Sequence, residues 1–296
     1  MKIFVTGATG FVGQELVSQL LEAQHSVRAL VRTEGSGKKN DKIEIHRGDS
    51  TRPDSLKSGL EGCDAVINLV GIIREFPSRA ITFERLHRES TGNLLQAAAE
   101  QGVTRFLQMS ANGVRADAVT EYHKTKWAAE ELVRQSALRW TIFRPSLIFG
   151  ANDQFVNMLA SLIKTLPVVP VMGDGRYRLQ PVCVTDVARG FVRALDNKEA
   201  IGQTYHCGGP DSYSYDEILD LIGQALGRKT PVRKLHQPLW LMQPLVAKLQ
   251  ALPQFPMTAD QLQMLLEGNC CDPSAWRKSF NLDLTAFPQG IASYLK

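Results

Sequence analysis

Two groups of residues have the types and the spacing that chemistry needs. Gly7, Gly10 and Gly13 recur every third residue in the segment GATGFVG, and glycine permits a tight turn and close approach of the backbone to a pyrophosphate. Tyr122 and Lys126 are four residues apart, so on a helix they share one face, and both side chains can take part in proton transfer. The sequence therefore predicts a phosphate-binding turn and a proton-transfer site. The alternatives are a turn that only packs tightly and an exposed helix face on which tyrosine and lysine merely occur together.

The elements that must position these residues alternate along the first half of the chain. The predicted strands are residues 2–6, 27–31, 43–46, 64–69, 105–109 and 140–144. The predicted helices are residues 12–23, 83–101 and 118–136. This alternation is typical of βαβ units, so we expect an α/β fold with a doubly wound parallel sheet. The glycine turn directly follows the first strand and opens the first helix, which is the context that a dinucleotide-binding turn requires.

The alternation weakens after Gly150. Helical patterns cover residues 182–195 and 216–226, a strand is predicted at residues 204–207, and prolines interrupt the C-terminal helices. We expect a cofactor-binding domain at residues 1–150 and a smaller lobe at residues 151–296, with the chain returning to the first domain near residues 182–207.

Composition excludes several classes of protein. The 296 residues are 44% apolar and carry a net charge of +4, which is too apolar for a disordered chain and too balanced for a nucleic-acid-binding arm. The five cysteines and the opening MKIFVTGATG, which predicts a strand and not a secretion leader, favour free thiols in the cytoplasm. Cys270 and Cys271 are adjacent, without a nearby His/Cys cluster, so no metal site is expected.

Residues 238–252 (PLWLMQPLVAKLQAL) form an apolar segment interrupted by Pro244. The segment is too short to span a membrane. Two interpretations remain open: helices that pack in the core of the second lobe, and a surface that lies on a membrane or admits an isoprenoid-like substrate.

Further motifs identify a family. Beyond the glycine turn and the motif YHKTK at residues 122–126, they are Gly48-Asp49, NLVG at residues 68–71, FRPS at residues 143–146 followed by Phe149-Gly150, and VTD at residues 184–186. From residue 2 to about 226 the chain resembles the short-chain dehydrogenase/reductase superfamily, in its extended and atypical branches. It is most similar to the group that contains the NAD(P)H-binding accessory subunit of respiratory complex I and bacterial relatives, as RALVR, NLVGIIRE and the Pro-rich C-terminal lobe also indicate.

The resemblance implies a Rossmann-like sheet with a smaller C-terminal substrate lobe, and it assigns roles. Tyr122 would be the general acid/base, and Lys126 would lower the pKa of Tyr122 and bind the nicotinamide ribose. Ser110 would supply the accompanying hydroxyl, with Ala111 the alternative at that alignment position. Asp49 would contact the adenine. The implied cofactor-binding residues are Gly7, Thr9, Gly10, Phe11, Val12, Gly13, Arg32, Asp49, Leu69, Val70, Gly71, Lys126 and Pro145.

The chain also departs from the family pattern. His87 aligns near the family's helix asparagine. It is either a catalytic base or a structural or surface histidine. Only 12 residues separate Ser110 from Tyr122. In nucleotide-sugar epimerases an arginine binds the diphosphate of the substrate. Leu179 lies near the position of that arginine here, and Arg176 and Arg178 are just upstream.

The end of the second predicted strand bears on the choice of cofactor. NAD-preferring enzymes place an acidic residue ~20 residues beyond the glycine turn, and the aligned position here is Val31. Arg32 follows, and its guanidinium can pair with a 2′-phosphate. The sequence therefore predicts NADP(H), with NAD(H) as the alternative because Glu34 would reach a ribose if its loop folds back. Arg32 as a solvated surface charge is the other alternative.

Two functions follow from these patterns. One is an NADP(H)-dependent oxidoreductase or epimerase/dehydratase-type enzyme that acts on a small organic or sugar-nucleotide-like substrate. The other is a cofactor-binding assembly or redox-sensing protein with little or no turnover. We expect a small-molecule partner, no nucleic acid, no membrane-spanning segment with peripheral membrane contact left open, and a monomer or homodimer.

Overall fold

The computed structural model describes residues 1–32, 42–250, 255 and 257–295. Its strands, in chain order, are β1 (Lys2–Thr6), β2 (Ser26–Val31), β3 (Ile43–Arg47), β4 (Ala65–Asn68), β5 (Arg105–Met109), β6 (Arg139–Pro145), β7 (Ile148–Phe149), β8 (Val169–Met172), β9 (Arg178–Leu179), β10 (Val182–Cys183), β11 (Gln203–Cys207), β12 (Tyr213–Ser214) and β13 (Lys234–Gln237). Its α-helices are α1 (Phe11–Glu22), α2 (Lys57–Leu60), α3 (Ser90–Glu100), α4 (Glu121–Gln135), α5 (Phe155–Thr165), α6 (Val184–Ala194), α7 (Tyr215–Ala225), α8 (Leu239–Leu249), α9 (Ala259–Leu266), α10 (Ser274–Ser279) and α11 (Phe287–Ala292).

The chain divides into two compact units. The first comprises Met1–Pro145, Thr185–Cys207 and Ser274–Leu282. The second comprises Ser146–Val184, Gly208–Pro273 and Asp283–Lys296. Each unit therefore contains more than one stretch of the chain, and the first also takes in α10, close to the C-terminus.

A seven-stranded sheet forms the centre of the first unit. The strand order is β11-β6-β5-β4-β1-β2-β3, and every pair is parallel. The predicted doubly wound, Rossmann-like sheet is confirmed. The strand order reverses between β1 and β4, whose register pairs Ile3 with Ala65, and ligands of such sheets bind at the carboxyl ends beside this reversal.

Apolar strands explain why this sheet is buried. Residues of β4 are all buried, as are Ile3, Phe4 and Val5 of β1. Parallel sheets need both faces covered, and the apolar faces of the flanking helices cover them: Leu16 and Leu20 of α1 are fully buried, and Leu94 and Leu95 of α3 join the core.

Three predicted helices begin differently in the structure, and one of them, predicted from residue 118, begins at Glu121. The helix predicted at residues 83–101 consists of a π-helix, Glu84–Glu89, followed by α3. The helix predicted from residue 182 begins at Val184, because Val182–Cys183 form β10 and pair with β7. π-Helical segments are rare and often occur at functional sites.

The second unit is built from two-stranded ribbons and helices. The ribbons are β7 with β10, β9 with β12, and β8 with β13. α5, α7 and α11 supply its core, in which Leu159, Ile218 and Ile291 are fully buried. In contrast, α8 fully buries only Val246 and leaves Trp240 exposed, so one face of this helix is buried and another faces solvent.

Helices of membrane-spanning length and hydropathy are lacking within the described residues.

Candidate active site

The glycine turn has the geometry that a pyrophosphate site requires. Gly7 has a φ of 72°, which favours glycine, and its carbonyl oxygen accepts a hydrogen bond from the Gly10 N–H at 3.0 Å. A Cβ atom on Gly13 would lie 2.1 Å from that same oxygen. α1 therefore packs closely on the turn only because Gly13 lacks a side chain. The first turn of α1 contains no acidic residue, so its N–H groups and helix dipole favour an anion.

A buried polar network fixes the segment that faces this turn. The Asn68 side chain accepts from the Thr6 hydroxyl at 2.6 Å and donates to Thr91 Oγ1 at 3.2 Å and to Gln108 Oε1 at 2.9 Å. Asn68 Oδ1 also accepts from the Val70 N–H at 3.3 Å. A fully satisfied buried network of this kind is rigid, so it holds Leu69, Val70 and Gly71 in place beside Gly7.

Arginines surround a cavity of about 360 Å³ at the carboxyl ends of β2 and β3. It is lined by Arg32, Arg47, Gly48, Asp49, Arg52 and Ser55. Oδ1 of Asp49 accepts from both the N–H and the hydroxyl of Thr51 at 2.9 Å. No carboxylate among the described residues forms a salt bridge with the three lining arginines. Three guanidinium groups against one carboxylate make this cavity suited to an anion.

Lys126 is a buried cation on α4, the helix that Thr120 caps. Its side chain is 3% exposed, and Nζ donates to the carbonyl oxygen of Met109 at 3.3 Å. An ammonium group has three N–H donors. Within the described part of the chain, Lys126 uses one of them, for the hydrogen bond to Met109. Burial lowers the pKa of Lys126 to about 8. Two N–H donors therefore remain for a ligand that offers hydroxyl acceptors, such as a ribose.

Tyr122 lies among aromatic rings. The ring centroids of Phe83, His87 and His123 lie 5.7, 5.3 and 5.3 Å from that of Tyr122, each edge-on. Burial raises the pKa of Tyr122 to about 12. The phenol is consequently neutral near physiological pH, and in this state it can donate a proton but cannot accept one as a phenolate.

Ser110 immediately follows β5 and Met109, the residue that Lys126 contacts. Its N–H donates to the Phe143 carbonyl at 2.7 Å, while its buried hydroxyl, on a residue only 4% exposed, has no hydrogen-bond partner in the described part of the structure. An unsatisfied buried hydroxyl costs about 1–3 kcal/mol, which a substrate oxygen would offset. Two residues on, the Asn112 N–H donates to the carbonyl of Pro145 at 2.8 Å.

His87 is held on both ring nitrogens. Nδ1 lies 2.9 Å from Thr125 Oγ1, and Nε2 lies 3.3 Å from the backbone nitrogen of Ile72. Nε2 also lies 3.2 Å from the Ile72 carbonyl oxygen, so either neutral tautomer of the ring has a partner at each nitrogen. Burial, and secondarily the charge of Lys126, lowers the pKa of His87 to about 2. His87 is therefore a neutral structural residue in this state.

Comparison with known proteins decides the family. Residues 7–165, more than half of the chain, match the family described as NAD(P)H-binding, and residues 115–252 match the RmlD substrate binding domain. The chain belongs to the NAD(P)H-binding family. It is an atypical short-chain dehydrogenase/reductase, and it binds a nicotinamide cofactor.

Two curated relatives of this NAD(P)H-binding protein carry related names. NADH dehydrogenase (ubiquinone) 1 alpha subcomplex subunit 9, mitochondrial, of Arabidopsis thaliana is 30% identical over 275 residues, which are 87% of this chain and 66% of that relative. The NADH-ubiquinone oxidoreductase 40 kDa subunit, mitochondrial, of Neurospora crassa is 27% identical, across 98% of this chain and 76% of that relative. The chain thus spans about two thirds of the length of the Arabidopsis relative.

A solved structure shares the fold. UDP-glucuronic acid 4-epimerase from Bacillus cereus, determined with UDP-glucuronic acid and NAD, superimposes with a TM-score of 0.77 at 20% identity and covers 100% of this chain and 99% of that one.

Two arginines, Arg28 in β2 and Arg178 near the diphosphate-binding position of nucleotide-sugar epimerases, hydrogen-bond to other parts of the chain. Arg28 is buried, and its Nη1 donates to the carbonyls of Gly59 at 2.7 Å and Glu61 at 2.8 Å. In the second unit, Arg178 donates to the carbonyl and hydroxyl oxygens of Ser212, and Leu179 is buried in β9. Glu34 lies outside the described residues.

Sequence reasoning missed three residues of this site. Thr125 lies within YHKTK and contacts His87. Asn112 and His206 form a pair at 3.0 Å, between Oδ1 and Nδ1. Asn112 is two residues beyond Ser110, a signal that was available, whereas His206 reaches the site through the pairing of β11 with β6, which no local pattern predicts.

Proposed function

We propose that this chain prefers NADP(H). The arginine-lined cavity follows β2 and β3, where the adenosine ribose of a dinucleotide on the glycine turn would lie. A 2′-phosphate would supply the anion that Arg32, Arg47 and Arg52 lack among the described residues. The hydroxyl of NAD(H) at that position would leave three guanidinium groups without a charged partner.

We further propose that the protein is an oxidoreductase in which Tyr122 is the catalytic acid. The nicotinamide cofactor, when bound, supplies or takes up the hydride. Tyr122, which is protonated near neutral pH, donates its phenolic proton to the oxygen of a carbonyl substrate during reduction. The Lys126 ammonium stabilises the resulting phenolate electrostatically and donates to ribose hydroxyls.

The Ser110 hydroxyl is the observation that carries this proposal. It is buried, it has no partner in the described part of the structure, and it follows the residue whose carbonyl binds Lys126. It can donate to the same carbonyl oxygen as Tyr122 and so polarise the substrate. A small organic carbonyl or hydroxyl compound, sugar nucleotides included, is the substrate class that suits these roles.

The test is NADPH oxidation by the purified protein with carbonyl, quinone and nucleotide-sugar substrates. Tyr122→Phe should lower turnover roughly 10²–10⁴-fold and leave NADPH affinity unchanged, because the phenol makes no contribution to the glycine turn. Tyr213→Phe, on β12 in the second unit, is the matched control and should retain full activity. Turnover that Tyr122→Phe leaves intact would refute the acid role.

The second candidate is a cofactor-binding assembly or redox-sensing protein. The names of the Arabidopsis and Neurospora relatives favour it, as does the fixed, neutral His87 at the position near the family's asparagine. It predicts NADPH that stays bound through gel filtration and is oxidised by none of the substrates tested.

We also propose that the second unit forms most of the substrate lobe, that the protein is cytoplasmic, and that it is a monomer or homodimer. The match of residues 115–252 to the RmlD substrate binding domain supports the first point. Substrate-contact variants in the second unit, cell fractionation and light scattering would test these points in turn.

A further inference from the structure

α8 has two different apolar faces. Leu239, Met242, Val246 and Leu249 recur at helical spacing on the partly or fully buried face. The opposite face carries Trp240, Leu241 and Leu245, which are 76%, 44% and 41% exposed. A surface helix normally places charged or polar residues on its outer face, so the apolar outer face of α8 needs a physical explanation.

The ribbon that leads into α8 continues this surface. In the pairing of β8 with β13, Leu235 stands opposite Pro170, and both are exposed. Just before β8, Leu166 and Val168 are also exposed. We call this surface the apolar face of the second unit; it comprises Leu166, Val168, Pro170, Leu235, Trp240, Leu241 and Leu245. Apart from Pro170, this set contains every exposed large hydrophobic residue of the second unit within the described part of the chain.

Cations outnumber anions around this face, although Asp220 pairs with Lys234 at 2.7 Å and Asp216 lies 2.9 Å from His236. Residues 221–259 contain no aspartate or glutamate but five lysines and arginines. Arg228, Lys229, Arg233 and Lys248 are exposed. Two of them adjoin the apolar face directly: the Arg228 side chain donates to the Ile163 carbonyl near Leu166, and the Arg233 carbonyl accepts from the Val169 N–H.

We propose that the apolar face of the second unit docks on the surface of a bilayer that contains anionic lipids. Trp240 and the leucines enter the boundary between headgroups and acyl chains, and the surrounding lysines and arginines bind the lipid phosphates. Tryptophan is favoured at this depth because its ring is apolar while its N–H reaches the polar layer. This docking is independent of the proposed oxidoreductase activity.

The charge pattern favours a lipid surface over a second copy of the chain. A two-fold dimer through this face would bring the same patch of both copies together. It would therefore place the four exposed lysines and arginines of one copy close to those of the other, while Asp220 is already paired with Lys234. An anionic bilayer supplies a counter-charge at every contact.

Flotation with vesicles tests the proposal with the full chain. We expect the protein to float with vesicles of phosphatidylcholine and phosphatidylglycerol and not with phosphatidylcholine alone. A variant with Trp240→Gln, Leu241→Gln and Leu245→Gln should lose at least roughly tenfold in affinity for these vesicles, because binding scales with the buried apolar area. Val119→Gln, an exposed position in the first unit, is the matched control and should bind like the natural chain.

Charge variants and fluorescence complete the test. Arg233→Gln with Lys248→Gln should weaken flotation and reduce its sensitivity to salt, whereas Lys198→Gln, exposed in the first unit, should not. Tryptophan emission should shift to shorter wavelength on binding, and Trp240→Phe should abolish that shift while flotation persists.

Three results would overturn the proposal. They are no flotation with anionic vesicles, equal flotation of the triple variant, and a dimer in light scattering that the triple variant dissociates. The last result would assign the face to a second copy. NADPH oxidation, which would decide the proposed function, is measured separately and is expected to be the same in the triple variant.

Discussion

The ammonium group of Lys126 occupies the space where Gly71 lacks a side chain. A Cβ atom on Gly71 would lie 2.9 Å from Lys126 Nζ. The glycine that ends the segment NLVG thus makes room for the cation that Met109 anchors from the other side. Substitution of either residue should therefore change the ligand site more than the fold.

Gly71→Ala should impair cofactor binding and spare stability. The nearest atom that the new methyl group meets is the end of a flexible side chain, so Lys126 can move away at little cost. We expect an unfolding midpoint near that of the natural chain, with weaker NADPH binding and lower turnover. Urea unfolding and a fluorescence titration measure the two effects. A loss of stability without a change in affinity would contradict this assignment.

Gly13→Ala should damage both properties. The new methyl group would lie 2.1 Å from Gly7 O and 2.7 Å from Ala8 Cα, which are backbone atoms. α1 must then move away from the turn, at a cost of about 1–3 kcal/mol. Gly92→Ala, in α3, is the control and should be neutral or stabilising, because the new methyl group would meet Leu132 Cδ1 at an ordinary 3.6 Å. Equal stabilities of the two variants would refute the close packing.

Arg32→Gln should discriminate between the cofactors. Loss of one guanidinium should weaken NADPH binding by about 1.5–3 kcal/mol, as for a hydrogen bond to a charged group, and leave NADH binding nearly unchanged. Arg139→Gln, at the amino end of β6 and thus at the opposite edge of the sheet, is the control. Equal or tighter binding of NADH by the natural chain would contradict the preference for NADP(H).

NADPH affinity should fall as the pH rises through about 8. In that range Lys126, whose pKa burial lowers to about 8, loses the proton that makes it a cation and a threefold donor. Lys126→Met should bind more weakly at all pH values and lack this transition. Lys124→Met, on the same helix and paired with Glu121 at the surface, should keep it. A transition that persists in Lys126→Met belongs to another group.

Stability should depend on His87 below pH 6.5. The folded chain keeps this ring neutral down to a pKa of about 2, from the ordinary 6.5, whereas the unfolded chain takes up a proton as the pH falls past 6.5. The contribution of His87 is thus complete above pH 6.5 and is lost as the pH falls, by up to about 1.4 kcal/mol per pH unit. Urea unfolding of His87→Gln should show a smaller decline, and an identical decline would exclude this cause.

Local patterns predicted the sheet of the first unit. The strand at residues 2–6 and the strand at residues 105–109 have the predicted bounds, because each has a short apolar centre between turn residues that has few other ways to be buried. The second unit was less predictable, since its ribbons pair residues far apart in the chain, such as Leu235 with Pro170.

The sequence by itself determined the glycine turn, the order of the strands along the chain and the helical spacing of Tyr122 and Lys126, because these are properties of neighbouring residues. The tertiary structure alone decided the environment of those groups. Burial of Lys126 beside Gly71, the satisfied His87 and the unpartnered hydroxyl of Ser110 arise where separate elements meet. Likewise, the apolar sequence of residues 238–252 is compatible with a buried or an exposed helix. Only packing distinguishes the two, since it buries Val246 and leaves Trp240 in solvent.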